Sequence, residues 1–249
     1  MIDRQYYKFD DFTEAHYLKT IQLAKKNYQF ISFDEFESNE KCIMLRHDVD
    51  FSPQRALKIA ELEASQGIAS TFFFQVTSLF YSIFEPSIKG IIKRITNLEH
   101  RVGLHFDVSC YAIIDKESFL KWLLFEKEIL GELINTEVKY FSYHIPNNIT
   151  EMFMGPIYHG MINAYSPIVN EGFKYISDSN GYWRFERLWD VVESNEFPKL
   201  HVLTHPSNWG RRATSPRNRI LRCAQGRARS QMVFYDDLLE QYKRKNVGK

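Results

Sequence analysis

Short apolar runs alternate along the chain with segments in which apolar residues recur every three or four positions. The short runs have the length of strands, and most are rich in β-branched or aromatic residues, so they predict strands. Because helices separate these strands, the pattern predicts parallel pairing in an α/β fold, either a doubly wound sheet or a βα barrel. The predicted strands cover residues 30–33, 42–45, 70–76, 102–106, 138–141, 173–176 and 200–203.

The helical segments carry sequence signals at their ends. Ser52-Pro53 supplies an N-cap residue followed by a proline at the first helical position, and Gly67 stands where that helix would end. Asp115 can cap a long helix that runs to about residue 134. Further helices are predicted at residues 12–26, 87–98 and 231–242.

Histidine or aspartate residues follow five of the predicted strands. In parallel α/β folds the C-terminal ends of the strands meet at one edge of the sheet, where active sites are built. We therefore expect these side chains to gather at one place. They are Asp48, Asp50, His105, Asp107, His144, Asp178 and His205.

Two of these pairs suggest a metal site. Asp48 and Asp50 share a face of an extended chain, and a metal relieves their repulsion when one carboxylate binds it and the other remains a base. Alternatively, this pair caps the helix that follows. His105 and Asp107 also share a face and are ordinary ligands of zinc and similar divalent metals. Alternatively, they are a buried histidine hydrogen-bonded to an aspartate.

The composition is that of an ordinary globular protein, with 44% hydrophobic residues, 25% charged residues and a formal net charge of +1. This excludes disordered and collagen-like chains. No window approaches the ~18 uncharged apolar residues of a membrane span, and the first residues lack the apolar stretch of a signal peptide. The three cysteines are far apart and form no CxxC pair, which predicts a reducing compartment, the cytoplasm.

The length suits a single domain over residues 1–249, with a helical lead-in at 1–40, an Arg-rich loop at 211–230 and a C-terminal helix at 231–245. Seven arginines and no acidic residue lie in 211–230. Such a block suggests an anion site, and the alternative is a solvated loop. A nucleic-acid ligand is not expected, because the net charge is near zero and the block has no interleaved aromatic residues.

The motifs taken in order resemble a known family. They are RHDVDFSPQRA at 46–56, TFFF at 71–74, EHRVGLHFD at 99–107, YHIP at 143–146, SDSNGYW at 177–183 and LTHP at 203–206. This order is similar to the polysaccharide deacetylase family, the NodB-like carbohydrate esterases, in a divergent "RHDVD" branch found with surface-polysaccharide genes. The resemblance covers roughly residues 40–209. It implies a distorted (β/α) barrel of about seven strands and a hydrolase that removes acyl groups from sugars with a divalent metal, often zinc.

The resemblance also implies roles for individual residues. Asp48 would be the base, Asp50 and His105 metal ligands, and His205 the general acid. The family's paired aspartates are adjacent, whereas here Val49 separates them. Fold therefore transfers more safely than activity.

One metal ligand of the family is missing. The second motif of the family has two histidines four residues apart, but Ser109 stands four residues after His105. We predict that Asp107 takes the vacant place, because a catalytic zinc needs about three protein ligands. His144 is the competitor, and Asp107 would otherwise orient His105 by a hydrogen bond.

Supporting roles fall to several further residues. His144 would lie near the base, and Asp178 would either orient His205 or bind sugar. Trp209 is a candidate for stacking on a sugar ring, and Arg217 and Arg219 are candidates for binding an anionic part of the substrate.

The predicted substrate is an acylated sugar that is free, nucleotide-linked or lipid-linked. The amide of an N-acyl group is the bond expected to break, in the biosynthesis of a surface polysaccharide or another glycan. The alternative is a protein of the same fold that binds sugar or serves assembly without hydrolysis.

Overall fold

The computed structural model describes residues 7–38 and 40–249, so residues 1–6 and 39 of the predicted lead-in lie outside the described residues. The strands are β1 (Gln29–Ile31), β2 (Cys42–Val49), β3 (Thr71–Phe74), β4 (Arg101–Phe106), β5 (Tyr140–Tyr143), β6 (Ile157–Tyr158), β7 (Met161–Asn163), β8 (Lys174–Ser177) and β9 (Lys199–Thr204). The helices are α1 (Glu14–Lys25), α2 (Pro53–Ala64), α3 (Pro86–Asn97), α4 (Lys116–Ile134), α5 (Asn148–Glu151), α6 (Leu188–Ser194) and α7 (Pro216–Gln241).

The strands form one curled sheet, a half-barrel in the order β6-β7-β5-β4-β3-β2-β9-β8, with β1 beside the first half of β2. All pairs are parallel except β6 with β7. The prediction of a distorted α/β barrel is therefore confirmed. The seven predicted strands are all present, and the two missed strands, β6 and β7, are too short to show a period in sequence.

Strand β2 lies in the middle of the sheet and is buried along its whole length. Its odd-numbered residues Ile43, Leu45 and Val49 belong to the larger apolar cluster, which includes residues of the helices. Met44 lies on the other face in a smaller cluster with Phe73. On the inner face of the half-barrel, apolar side chains thus fill the end near the start of β2. Polar side chains of β2 occupy the end near its C-terminus.

The prediction of an Arg-rich loop followed by a separate C-terminal helix is wrong, because one long helix, α7, covers most of both segments. It runs from Pro216 to Gln241, so most of segment 211–230 is helix rather than loop, and the helix predicted at 231–245 is its second half. Ser215 caps it by accepting a hydrogen bond from the backbone N–H of Asn218. The same Ser-Pro signal begins α2, but Gly226 in the middle of α7 made the helical pattern less evident.

Among the described residues, no helix combines the length and the apolar character that crossing a membrane requires.

The core assignment of α4 can be tested with two of its phenylalanines. Phe119 is fully buried and stacks on Phe153 with ring centroids 4.1 Å apart, whereas Phe125 is 48% exposed. We expect Phe119→Ala to lower the free energy of unfolding by about 3–5 kcal/mol, because it leaves a cavity. Phe125→Ala should cost less than about 1 kcal/mol. Urea unfolding measures both, and equal losses would contradict the packing described for α4.

Candidate active site

The structure brings the polar residues at the strand ends together, as the sequence predicts for a parallel sheet. A cavity of about 430 Å³ opens at the C-terminal ends of the strands. Its lining includes two carboxylates and three imidazoles that different strands and their following loops supply. They are Asp48, Asp50, His105, His144 and His205.

Three of these side chains form a potential metal site. One ligand atom each from Asp50, His105 and His144 lies within 4.8 Å of the others. Two imidazole nitrogens and a carboxylate oxygen are a common donor set for a catalytic zinc, which keeps a further position for water or substrate. Burial raises the pKa of Asp50, but its contact with His105 and the charges of His205 and His144 outweigh burial, so the pKa is lowered. Asp50 is therefore ionised at neutral pH.

The contacts of His105 and Asp50 fit a cation between them in one tautomer of the imidazole. Ser142 donates to Oδ1 of Asp48 at 3.4 Å, so its oxygen is free to accept from Nδ1 of His105, 2.7 Å away. In the tautomer in which Nδ1 donates to Ser142 and Nε2 carries no proton, the Nε2 lone pair lies 3.1 Å from Oδ1 of Asp50. That oxygen is buried and accepts no hydrogen bond from any residue that the structure describes. A lone pair facing a carboxylate is unfavourable unless a positive charge lies between them.

Asp107 lies outside this group, in contrast to the prediction that it binds the metal. Its Oδ2 is 2.9 Å from Nδ1 of His144, and its Oδ1 accepts hydrogen bonds from the backbone N–H and hydroxyl of Ser109. The reason is the register of β4 and β5, which pairs His105 with Ser142 and so places Asp107 beside His144. Burial lowers the pKa of His144, but its hydrogen bond to Asp107 and the charge of Asp50 raise it above the ordinary value.

Asp48 interacts with a buried arginine that sequence reasoning missed. Nη2 of Arg46 is 3.2 Å from Oδ2 of Asp48, and both side chains are almost completely buried. The Arg46 guanidinium lies over the ring of Tyr165 at 4.5 Å, and within the described part of the chain its Nε and Nη1 find no hydrogen-bond acceptor. Alternation along β2 could have revealed Arg46, because residues 46 and 48 share a face.

His205 is held by Asp178, which is one of the two roles predicted for that aspartate. Nδ1 of His205 is 2.7 Å from Oδ1 of Asp178, and the backbone N–H of His205 donates to the same carboxylate. Asn208 donates to its other oxygen at 3.0 Å. Burial lowers the pKa of His205, but the Asp178 carboxylate outweighs it and raises the pKa to about 9. At neutral pH, His205 is thus a protonated acid, 3.7 Å from Asp50.

The tryptophan that was predicted to stack on the substrate lies in the core. Trp209 is fully buried among Phe12, Tyr17 and Trp183, so it belongs to the core and does not stack on a sugar.

The arginines of the C-terminal segment also differ from the prediction. Arg219 is fully buried, lies over the Phe12 ring at 4.1 Å and donates to the carbonyl of Gly181. It therefore supports the loop that lines the cavity instead of meeting an anion. Arg217 is exposed and is not part of the cavity lining, so its binding of substrate stays a prediction.

The Asp178 carboxylate should set the ionisation of His205. In metal-free protein, NMR titration should find the His205 pKa near 9. In Asp178→Asn, the opposing effect of burial should lower it by more than about one pH unit. Asp107→Asn is the control and should leave the value unchanged, because Asp107 contacts His144 instead. An unchanged His205 pKa in Asp178→Asn would contradict this assignment.

No protein-family model and no curated protein matches this sequence. A family 4 carbohydrate esterase from Bacillus anthracis is 16% identical, with a TM-score of 0.41 over 88% of this chain and 91% of that one. A CE4 family pseudoenzyme from Bacillus anthracis is 17% identical, with a TM-score of 0.43 over 78% of this chain. The chain spans 62% of that pseudoenzyme, less than two thirds of its length. The chitin deacetylase of Colletotrichum lindemuthianum is 13% identical, with a TM-score of 0.43 over 76% of this chain and 84% of that one. The solved structures found to be similar are thus of the kind that the sequence motifs resemble.

Proposed function

We propose that this chain is a metal-dependent hydrolase that removes an N-acyl group from a sugar. The observation that carries the proposal is the arrangement of three functional groups around one cavity. A potential ligand set, a separate carboxylate that could act as the base and a protonated histidine that could act as the acid all line this cavity. Amide hydrolysis needs these three functions together.

Asp50, His105 and His144 would hold the metal, and we propose zinc because this donor set is typical of it. Bound there, the ion would polarise the acyl carbonyl and make a water more acidic. Asp107 would fix the orientation of His144 through its hydrogen bond to Nδ1, leaving Nε2 for the ion.

Asp48 would take the proton of the attacking water. Arg46 on one carboxylate oxygen and the hydroxyl of Ser142 on the other fix the orientation of the carboxylate. Arg46 also compensates the charge of Asp48, which is buried in the half-barrel. The water oxygen bonds to the carbonyl carbon as its proton moves to Asp48.

His205 would act as the acid that protonates the leaving amine. It donates its proton to the nitrogen as the C–N bond breaks, so that a neutral amine leaves. Asp178 holds the ring in place through Nδ1, which leaves the Nε2 proton for transfer. The products are a carboxylic acid and a free amino sugar.

The cavity is of a size that suits one or two sugar units, since small-molecule sites are typically ~300–1,000 Å³. Tyr143, Tyr165 and Leu203 contribute apolar surface to it. The setting we propose from the sequence resemblance is the biosynthesis of a surface polysaccharide, and the cysteine pattern favours the cytoplasm as its place. A nucleotide or lipid on the substrate is compatible with this setting.

Asp48→Asn separates the base from the metal site. The variant should bind zinc as the parent does, yet release acetate from N-acetylglucosamine oligomers about 10²–10⁴ times more slowly, because an amide cannot accept the proton. Asp237→Asn, on the exposed part of α7, is the control and should keep full activity. A parent that binds zinc but hydrolyses no N-acetyl sugar would favour a protein that binds sugar without hydrolysis.

Zinc affinity tests the ligand set. Elemental analysis should find close to one zinc per chain, and His144→Ala should abolish binding because it removes a ligand. Asp107→Ala should weaken binding only ~10–100-fold, since it removes a partner of a ligand. The exposed His159 offers a control, His159→Ala, with unchanged affinity. If Asp107→Ala releases the metal and His144→Ala retains it, the proposed ligand set is wrong.

A further inference from the structure

The outer part of helix α7 exposes an unusual amount of apolar surface. In the helix, only Arg219 and Cys223 are buried. Met232 is 61% exposed, Tyr235 50% and Phe234 67%. Single-chain proteins seldom expose so many large apolar groups on one element, and such a patch usually marks an interaction site.

Part of this apolar surface is a continuous stripe along the helix. Its members follow one another at spacings of three or four residues, the pattern of a helix that packs on another helix. The stripe lies on the face opposite Arg219 and Cys223, and six of its seven members are exposed. This outer stripe consists of Leu221, Ala224, Ala228, Met232, Tyr235, Leu239 and Tyr242.

The sizes of the side chains suit an antiparallel pairing of two such stripes. A two-fold axis near residues 233 and 234 places Ala228 opposite Leu239 of a second copy and Met232 opposite Tyr235 of the second copy. The small Ala228 then faces the larger Leu239, the two large side chains Met232 and Tyr235 meet near the axis, and each contact occurs twice because the pairing is isologous. In this register the two stripes overlap from residue 225 to residue 242, a length of ~27 Å in a helix.

The charges beside the outer stripe favour the same register. Arg229 and Asp236 lie on one flank of it. The antiparallel pairing sets Arg229 opposite position 238 of the second copy, two residues or ~3 Å along the helix from its Asp236, so the two long side chains can meet, twice. In a parallel pairing, Arg229 would face Ala224 and Asp236 would face Gln231, so no opposite charges would meet. Within the chain, Asp236 accepts a hydrogen bond from Asn246 at 2.7 Å and contacts Lys249 at 2.9 Å. Lys249 is largely exposed, so its ion pair with the half-buried Asp236 contributes little to stability.

We propose that the outer stripe of α7 binds a second copy of this chain in an antiparallel homodimer. The apolar contacts supply the affinity, and the Arg229–Asp236 pairs select the orientation. The proposal does not depend on the hydrolytic activity.

Sedimentation of the full chain at micromolar concentrations tests the dimer. The parent should sediment as a dimer, and the double variant Met232→Glu with Leu239→Glu should sediment as a monomer with unchanged circular dichroism. Phe234→Glu is the matched control, since Phe234 is equally exposed on α7 but lies off the stripe, and it should stay dimeric. A monomeric parent overturns the proposal, as does a dimer that the double variant leaves intact. A monomeric parent that pellets with anionic lipid vesicles would assign the face to membranes instead.

A charge exchange tests the orientation. Arg229→Asp alone sets two carboxylates against each other across the interface, and Asp236→Arg alone sets two guanidinium groups together. Each variant should therefore raise the dimer dissociation constant at least ~10-fold. An equal mixture of the two variants restores an opposite-charge contact and should sediment as a heterodimer. A mixture that dimerises no better than either variant alone would exclude the antiparallel register.

Discussion

Compensation of the charges buried in β2 is the constraint on which the rest of the structure depends. Arg46, His47 and Asp48 are consecutive and almost fully buried. Taking such groups out of water costs several kcal/mol each unless partners compensate them. Alternation sends Arg46 and Asp48 to the inner face of the half-barrel, where they pair, and His47 to the helix side, where it needs a separate partner.

Glu63 of α2 is that partner. Its carboxylate is 2.8 Å from Nε2 of His47 and accepts hydrogen bonds from Ser70 and Tyr17, so α1, α2 and the start of β3 are tied to β2. Burial raises the pKa of Glu63, but His47 and the hydrogen bonds lower it below the ordinary value. Because this network fixes β2 from behind, the aspartates at its end point into the cavity from a rigid support.

The sequence was informative where function follows from local alternation. The Asp48 and Asp50 pair, His105 and His205 could be placed at strand ends because a two-residue period and a parallel sheet determine where such side chains meet. The third member of the potential metal site could not. His144 rather than Asp107 joins it because of the register between β4 and β5, a relation between distant segments that no local pattern encodes.

The sequence also did not reveal which residues of the C-terminal segment are buried, because burial depends on contacts with distant segments. An arginine-rich stretch suggests solvent or an anion, yet Arg219 is buried against Phe12 because α7 begins at Ser215-Pro216 and turns that residue inward. Whether a tryptophan meets solvent or core likewise depends on tertiary contacts. Trp209 is covered by the aromatic residues of the N-terminal segment, nearly 200 residues away in sequence.

Gly181 has a consequence for how this chain can vary in evolution. Its φ is +79°, and a Cβ there would lie 2.8 Å from Cβ of Pro216 and 3.2 Å from Oδ1 of Asn208. Pro216 begins α7, and Asn208 holds Asp178, so neither neighbour can yield without disturbing the helix or the acid. Position 181 should therefore remain glycine in relatives that keep both neighbours. Where a side chain appears at 181, residues 208 and 216 should change with it, as a covarying group of three.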